Sequence, residues 1–264
     1  MRPLSEAPAD RLRRVRFVLT DMDDTLTFEG RLGAATYAAL ERLRDGGVAV
    51  LPVTAAPAGW CDQMARMWPV DGVIGENGGF HFRGTGDGGV ARRFWLPDDG
   101  RPDAARRLAA LSRSIRAALP EVRPASDQPF RLTSLAFDRP EEEALRAALV
   151  ERFRRAGARV TVNSLWVLGW FGAYDKLAMA RRVLAEAHGI DLDGDGWEER
   201  RAAVLYVGDS TNDAPMFGFF PNSVGVSTVV HHLPEIPTPP SWITQGPGGA
   251  GFVEVADAIL RARR

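Results

Sequence analysis

Residues 15–20, VRFVLT, form a short, nearly continuous apolar run, the pattern of a strand buried on both faces of a parallel sheet. The pattern returns at 48–53 (VAVLPV), 72–74 (GVI), 202–207 (AAVLYV) and 223–226 (SVGV). Between the first three runs lie two helix-compatible stretches. One is AATYAALERLRD at 34–45, with Tyr37, Leu40 and Leu43 on one face and Gly46-Gly47 as its stop; the other is AGWCDQMARM at 58–67. Strand alternating with helix predicts right-handed βαβ units and hence a parallel, Rossmann-like α/β sheet.

After GENGG at 75–79 the rhythm changes. Helices are expected over 103–119 and 141–156, and strands at 131–137, 158–162 and 165–171, with turns such as RGTGDGG and LPDDGRP between elements. This pattern predicts an α+β cap over 81–171, inserted into a core formed by 1–80 and 172–264. The core resumes with a helix from Asp175 to Ala187 and closes with one near 253–262. The first fourteen residues, with two prolines and scattered charge, read as a loose leader.

Composition narrows the function classes. The chain of 264 residues is 45% hydrophobic and 25% charged, and its formal net charge of −1 provides no global field for nucleic acid or an anionic membrane. No run approaches the ~18 consecutive apolar residues of a membrane span. The single Cys61 excludes an internal disulfide framework and reads as a buried apolar side chain, so a cytoplasmic protein is expected.

Ligands of parallel α/β sheets collect at the carboxyl ends of the strands. Asp21 and Asp23 follow the first strand, Thr54 the second, and Asp209 and Asp213 the late one. Each has an ordinary structural explanation, since Asp after a strand often caps a helix. Their joint occurrence at three strand ends points instead to one site. Acids on separate loops meeting at a point require a cation, and hard oxygen ligands with few histidines favour Mg²⁺.

In order along the chain, FVLTDMDDTLT, VLPVT, YDKLAMARRVL and VLYVGDSTNDAPMF resemble the four motifs of the haloacid dehalogenase superfamily of phosphohydrolases. The long insertion between the second and third motifs, and GENGG, resemble the subclass with an α+β cap there, which includes sucrose-phosphate, trehalose-phosphate and mannosylglycerate-phosphate phosphatases and a eukaryotic phosphomannomutase. The resemblance covers the chain from Val15. It implies a phosphatase that acts on a small phosphorylated metabolite, such as a sugar phosphate, through an aspartyl-phosphate. A phosphomutase or a catalytically silent phosphate-binding protein of the same fold is the alternative. By the same resemblance Asp21 is the nucleophile, Asp23 the acid/base, Thr54 a phosphoryl hydrogen-bond donor and Lys176 the neutralising cation. Backbone N–H groups around Met22 and Ala55 complete the phosphate cradle. The metal ligands implied are the Asp21 carboxylate, the Asp23 carbonyl and Asp209, with Asp213 in direct contact or behind them.

Asn212 is expected to orient Lys176 or the phosphate. Asn77, with Glu76 at the core–cap junction, is expected to bind substrate or fasten the hinge, and Arg131, Asn163 and Ser164 are polar cap residues suited to substrate contact. Two departures from the family pattern stand out: Ala56 occupies a position where relatives often carry Arg, and Asp24 one often held by Gly. DLDGDG at 191–196 has the opening of an EF-hand loop but lacks its closing Glu, so it reads as a solvated connector. His231-His232, in a Pro-rich stretch, read as surface residues.

Overall fold

A computed structural model describes residues 1–163 and 165–264; the expectation for Ser164 lies outside the described residues. The chain opens with strand β1 (Arg2–Pro3) and helix α1 (Ala9–Arg13), followed by β2 (Phe17–Thr20), the small hairpin β3 (Thr27–Phe28) and β4 (Arg31–Leu32), α2 (Ala34–Asp45), β5 (Ala49–Pro52), α3 (Ala58–Met67) and β6 (Val73–Gly75). A hairpin of β7 (Phe80–Gly84) and β8 (Val90–Phe94) leads to α4 (Arg101–Ala118), β9 (Ser134–Asp138), α5 (Glu143–Arg155), β10 (Arg159–Val162) and β11 (Trp166–Trp170). The chain returns through α6 (Lys176–His188), α7 (Trp197–Ala202), β12 (Val204–Gly208), α8 (Ala214–Phe219), β13 (Asn222–Gly225), β14 (Trp242–Ile243) and α9 (Gly248–Ala262).

Six strands form one parallel sheet in the order β1-β14-β13-β12-β2-β5. The single bridge from Val53 to Ile74 extends it to β6. β2 and β12 are buried along their whole length because helices cover both faces: α2 and α9 pack with Val18, Val50 and Leu205 on one, α6 and α8 with Leu19, Leu51 and Tyr206 on the other. This is why those segments read as continuous apolar runs rather than alternating ones.

The first fourteen residues are not a loose leader. β1 pairs with β14, and Leu4 and Leu12 are buried in the core. The closing helix also starts five residues before the expected position. Gly249 lets its first turn approach the chain at Leu26, where a Cβ would stand 2.8 Å from the Leu26 carbonyl oxygen. A Pro-Gly-Gly stretch that signals a turn in sequence is here a close-packed helix start.

A second layer is the antiparallel sheet β10-β11-β9, backed on one face by α4 and α5 through Leu111, Ile115, Phe137, Leu149 and Phe153. Its other face carries Ala136 and Leu168, which meet Ala55 of the loop after β5. The β7–β8 hairpin, which begins one residue before the expected cap span and otherwise lies in it, hydrogen-bonds to β6 and packs Phe80 and Phe82 on α3. Strand β9 starts three residues later than its apolar pattern indicates, because Arg131, Leu132 and Thr133 bond across to the other layer instead of to the sheet.

Candidate active site

Strand geometry delivers the acids. β2 and β12 are neighbours with Thr20 opposite Val207, and the Asp21 N–H donates to the Val207 carbonyl at 2.9 Å. Asp21 and Asp209 therefore leave the same edge of the sheet side by side. Thr54, one strand over, arrives by the same logic, fixed by its N–H to the Ile74 carbonyl. Lys176 comes from the first turn of α6, which Asp175 caps by accepting from the Ala178 N–H at 2.8 Å.

Carboxylate oxygens of Asp21, Asp209 and Asp213 lie within 4.8 Å of one another, and all three residues are buried. The Lys176 ammonium, also buried, sits 2.9 Å from Asp21 and 2.7 Å from Asp213. Lys176 is the only lysine among the chain's 33 basic residues. Where every other cation is arginine, the compact ammonium occupies the one position that must fit between two buried carboxylates.

One cation against three carboxylates leaves the cluster under-neutralised. Burial pushes the Asp21 carboxyl upward, opposed by Lys176 and reinforced by Asp213 and Asp23. Burial, with Asp21 and Asp213 beside it, raises Asp209 as well. Asp23 is half-buried and pushed up to about 6, mainly by burial, with Lys176 pulling it down and Asp24 pushing it up. A carboxyl titrating near neutrality suits proton transfer.

Asp213 differs from the other two. Its Oδ1 accepts from Lys176 Nζ and from the Tyr206 hydroxyl, and its Oδ2 from the N–H groups of Asp209 and Ser210. Four donors use up a carboxylate's acceptor capacity. Asp213 thus holds Lys176 and the 209–210 backbone in place, while Asp21 and Asp209 keep oxygens free to take a cation. This donor set, hard, oxygen-only and net negative, fits a divalent cation of the Mg²⁺ type.

Around it lies a cradle of unused donors. Among the described residues the N–H groups of Met22, Asp23 and Ala55 donate to no protein acceptor. The Thr54 hydroxyl oxygen accepts from the Ala56 N–H at 3.0 Å, which leaves its proton free to donate elsewhere. Met22 closes the turn by accepting from the Leu26 and Thr27 N–H groups at 2.9 Å, and Asp24 takes the left-handed conformation at φ 54°. Asn212 is partly exposed, its side-chain oxygen accepting from the Ser210 hydroxyl, and among the described residues it makes no hydrogen bond to Lys176.

The junction residues divide in role. The Glu76 carboxylate, fully buried, accepts from the N–H groups of Ala58, Leu132 and Thr133 and from the hydroxyls of Thr133 and Ser134. Every acceptor site is thus spent: the Ala58 bond caps α3, and the four from Leu132, Thr133 and Ser134 tie the second layer to the first. Asn77 is equally buried, yet neither atom of its amide has a partner among the described residues. Both residues sit in the left-handed region at φ 46° and 57°, a strain that the surrounding bonds sustain. Glu76→Ala should therefore cost roughly 3 kcal/mol or more of stability in urea unfolding, since five donors lose their acceptor at once. A loss below about 1 kcal/mol would contradict the fastening role.

Arg131, expected as a polar cap residue suited to substrate contact, is engaged in bonds within the protein. Its guanidinium pairs with both oxygens of Asp127, at 3.0 and 2.8 Å, and donates to the Ala55 carbonyl at 2.8 Å. The absent arginine at 56 is thus answered from the other side: the second layer supplies an arginine to the loop rather than the reverse. Asn163 accepts from the Leu165 and Trp166 N–H groups and so shapes its own turn. Asp193, in the 191–196 loop, pairs with Arg181 and Arg201, and His231 lies exposed.

Two further residues belong to the site. The Thr25 hydroxyl donates to Asp209 at 3.1 Å, orienting that carboxylate across 184 residues of chain, and Tyr206 buttresses Asp213. Thr25 had a signal, its place four residues after Asp21 in the first motif. Tyr206 had none beyond being the one polar group in an apolar strand.

No protein-family model matches the sequence, and neither does any curated protein. Solved structures do match it. A haloacid dehalogenase-like hydrolase from Bacteroides thetaiotaomicron superposes with a TM-score of 0.64 at 15% identity, covering 93% of this chain and 99% of that one. This chain has the haloacid dehalogenase fold. A Thermoplasma acidophilum protein shares the fold at TM-score 0.70 and 18% identity over 93% and 98% of the two chains. The sucrose-phosphatase of Synechocystis, solved with sucrose and phosphate, shares it at TM-score 0.64 and 15% identity over 94% and 98%. In each comparison the shared fold spans nearly the full length of both chains. Among the described residues no helix is long and apolar enough to cross a membrane.

Proposed function

We propose that the protein is a Mg²⁺-dependent phosphatase that hydrolyses a small phosphorylated metabolite of the sugar-phosphate class through an aspartyl-phosphate on Asp21. The observation carrying this reading is the buried Asp21–Lys176–Asp209 cluster facing unused N–H donors at Met22, Asp23 and Ala55. The likeness to a sucrose-phosphatase crystallised with sucrose and phosphate supports the substrate class.

The chemistry follows from charge. A phosphate monoester dianion repels a carboxylate, so attack by the free oxygen of Asp21 requires neutralisation first. Lys176 neutralises part of that charge, the free N–H groups and the Thr54 hydroxyl bind the phosphoryl oxygens, and Asp213 with Tyr206 keeps the ammonium fixed. Asp21, Asp209 and the Asp23 carbonyl would hold Mg²⁺, which when bound screens the remaining repulsion between carboxylate and phosphate. Asp23 protonates the departing alkoxide and then takes the proton of the water that hydrolyses the aspartyl-phosphate. The layer of β9–β11, fastened by Glu76 and Arg131, covers the site and surrounds the rest of the substrate; its division from the core near the β7–β8 hairpin and a cytoplasmic location belong to the same proposal.

Incubating the purified protein with a panel of sugar phosphates and Mg²⁺ tests the reading: release of inorganic phosphate is expected. Isomerised sugar phosphate with no phosphate released would make the protein a phosphomutase instead. The Asp23 role has its own signature. For an alkyl phosphate, kcat/KM should fall as pH rises past about 6, where Asp23 loses its proton. For p-nitrophenyl phosphate, whose leaving group departs without a proton, that alkaline fall should be absent. Identical profiles for the two substrates would remove Asp23 from the acid role.

A further inference from the structure

The β7–β8 hairpin turns Phe80 and Phe82 onto α3, and the two-residue period of a strand turns His81 and Arg83 to the opposite face. Across the register Arg93 stands opposite His81 and Ala91 opposite Arg83, so Arg83 and Arg93 are diagonal neighbours on that face. The face looks onto α6. Between them lies a cleft of about 410 Å³, with Arg182 and Glu186 on the helix side and Met179 at its floor.

Charge in this cleft is unbalanced. Arg182 donates to Glu186 at 2.8 Å and to the carbonyls of Phe94 and Trp95, so the one acid lining the cleft is already claimed. Among the described residues Arg83 and Arg93 make no ion pair. Both are exposed at the rim of the cleft, and the one acid lining it is held by Arg182, which leaves their charge open to an incoming anion. His81 is buried beneath, its Nε2 without a partner among the described residues. Burial, then His188, Arg83 and Arg93, push its pKa down to about 4 against an upward pull from Glu186, so it adds no charge of its own.

We propose that this cleft is a second anion site, taking a small dianionic metabolite through the guanidiniums of Arg83, Arg93 and Arg182. Planar guanidiniums converging from a sheet and a helix match the paired oxygens of a phosphoryl group or of adjacent carboxylates. The volume is in the range of small-molecule sites. Its position gives it a handle on the aspartate site. Met179 touches Gly78 at the junction, and α6 begins with Lys176, so an occupant braces the helix that carries the ammonium. None of the cleft's residues belongs to the aspartate cluster.

Crystals of the full chain soaked in sodium tungstate, a heavy oxyanion, test the site by anomalous diffraction. A tungsten peak is expected in the cleft within reach of the three guanidiniums, and it should vanish in the Arg83→Ala/Arg93→Ala double variant. Calorimetric titrations of the metal-free protein with inorganic phosphate and with citrate identify the chemistry. At least one should bind with an affinity that the double variant weakens by about tenfold or more. Weakening for phosphate alone assigns a phosphoryl ligand and for citrate alone a polycarboxylate. Absence of a tungsten peak in the cleft, or equal affinities for both probes in the two proteins, would overturn the proposal. Neither readout uses turnover, so each stands or fails apart from the phosphatase reading.

Discussion

Asp21→Asn should lower turnover of p-nitrophenyl phosphate by roughly 10³-fold or more and, in the same protein, raise the Tm of the metal-free form. The activity loss is expected because Asp21, next in sequence to the free Met22 N–H and 2.9 Å from Lys176, is the proposed nucleophile, whereas Asp213, the other carboxylate paired with Lys176, has its acceptor sites filled. The stability gain follows from the electrostatics of three buried carboxylates served by one ammonium. At neutral pH the folded chain must either ionise Asp21 beside Asp213 and Asp23 or spend a proton to keep it neutral. Asparagine has the same shape and neither cost, while Asp213 keeps Lys176 paired. The gain is of order 1–3 kcal/mol, with about 2–4 °C of Tm for each kcal/mol in a chain this long. Retained turnover would remove Asp21 from the nucleophile role. A lower Tm would show that the cluster stabilises the fold rather than serving the reaction.

The second large effect is a pH dependence that the cation reverses. In the metal-free site Asp21 is pushed up to about 7 and Asp209 to about 9, from an ordinary value near 4. A carboxyl raised in the folded state keeps its proton where the unfolded chain has already released it. The stability this confers is full below about pH 4 and is lost progressively as pH rises toward 9. Without a divalent cation, these groups therefore lower the Tm between about pH 5 and pH 8. Mg²⁺ competes with those protons, so adding it should raise the Tm strongly at pH 8 and weakly at pH 5. The gain approaches ~2.7 kcal/mol when Mg²⁺ is at a hundred times its dissociation constant. A Tm indifferent to Mg²⁺ at pH 8 would contradict a cation site at Asp21 and Asp209.

Much of this was legible in the sequence because strand periodicity and strand-end chemistry are local. The runs ending at Thr20, Val53 and Val207 each deliver a polar residue at the next step or two, and a parallel sheet places those ends together. What escaped depends on partners far along the chain. The anchoring of residues 2–12 rests on a two-residue strand and two leucines eight positions apart, too sparse to show a period. For Glu76 the hinge reading shows only in where its carboxylate oxygens meet the Leu132 and Thr133 N–H groups and the Ser134 hydroxyl. Arg131 looked like a free polar residue because nothing in its neighbourhood announces that Ala55, 76 residues away, takes its Nη1. Lys176 had a signal that motif reading did not need: a chain that otherwise uses arginine throughout retains a single lysine, and it is the buried one.

The most direct measurement is to mix the Asp23→Asn variant with Mg²⁺ and p-nitrophenyl phosphate, quench in acid within one turnover, and map the phosphoryl group by mass spectrometry. If Asp21 is the nucleophile and Asp23 the base, this variant should form the aspartyl-phosphate with a leaving group that needs no proton but fail to hydrolyse it, so the adduct should accumulate on the peptide carrying Asp21. p-Nitrophenol released in a burst with no phosphoryl group on that peptide would contradict covalent catalysis by Asp21.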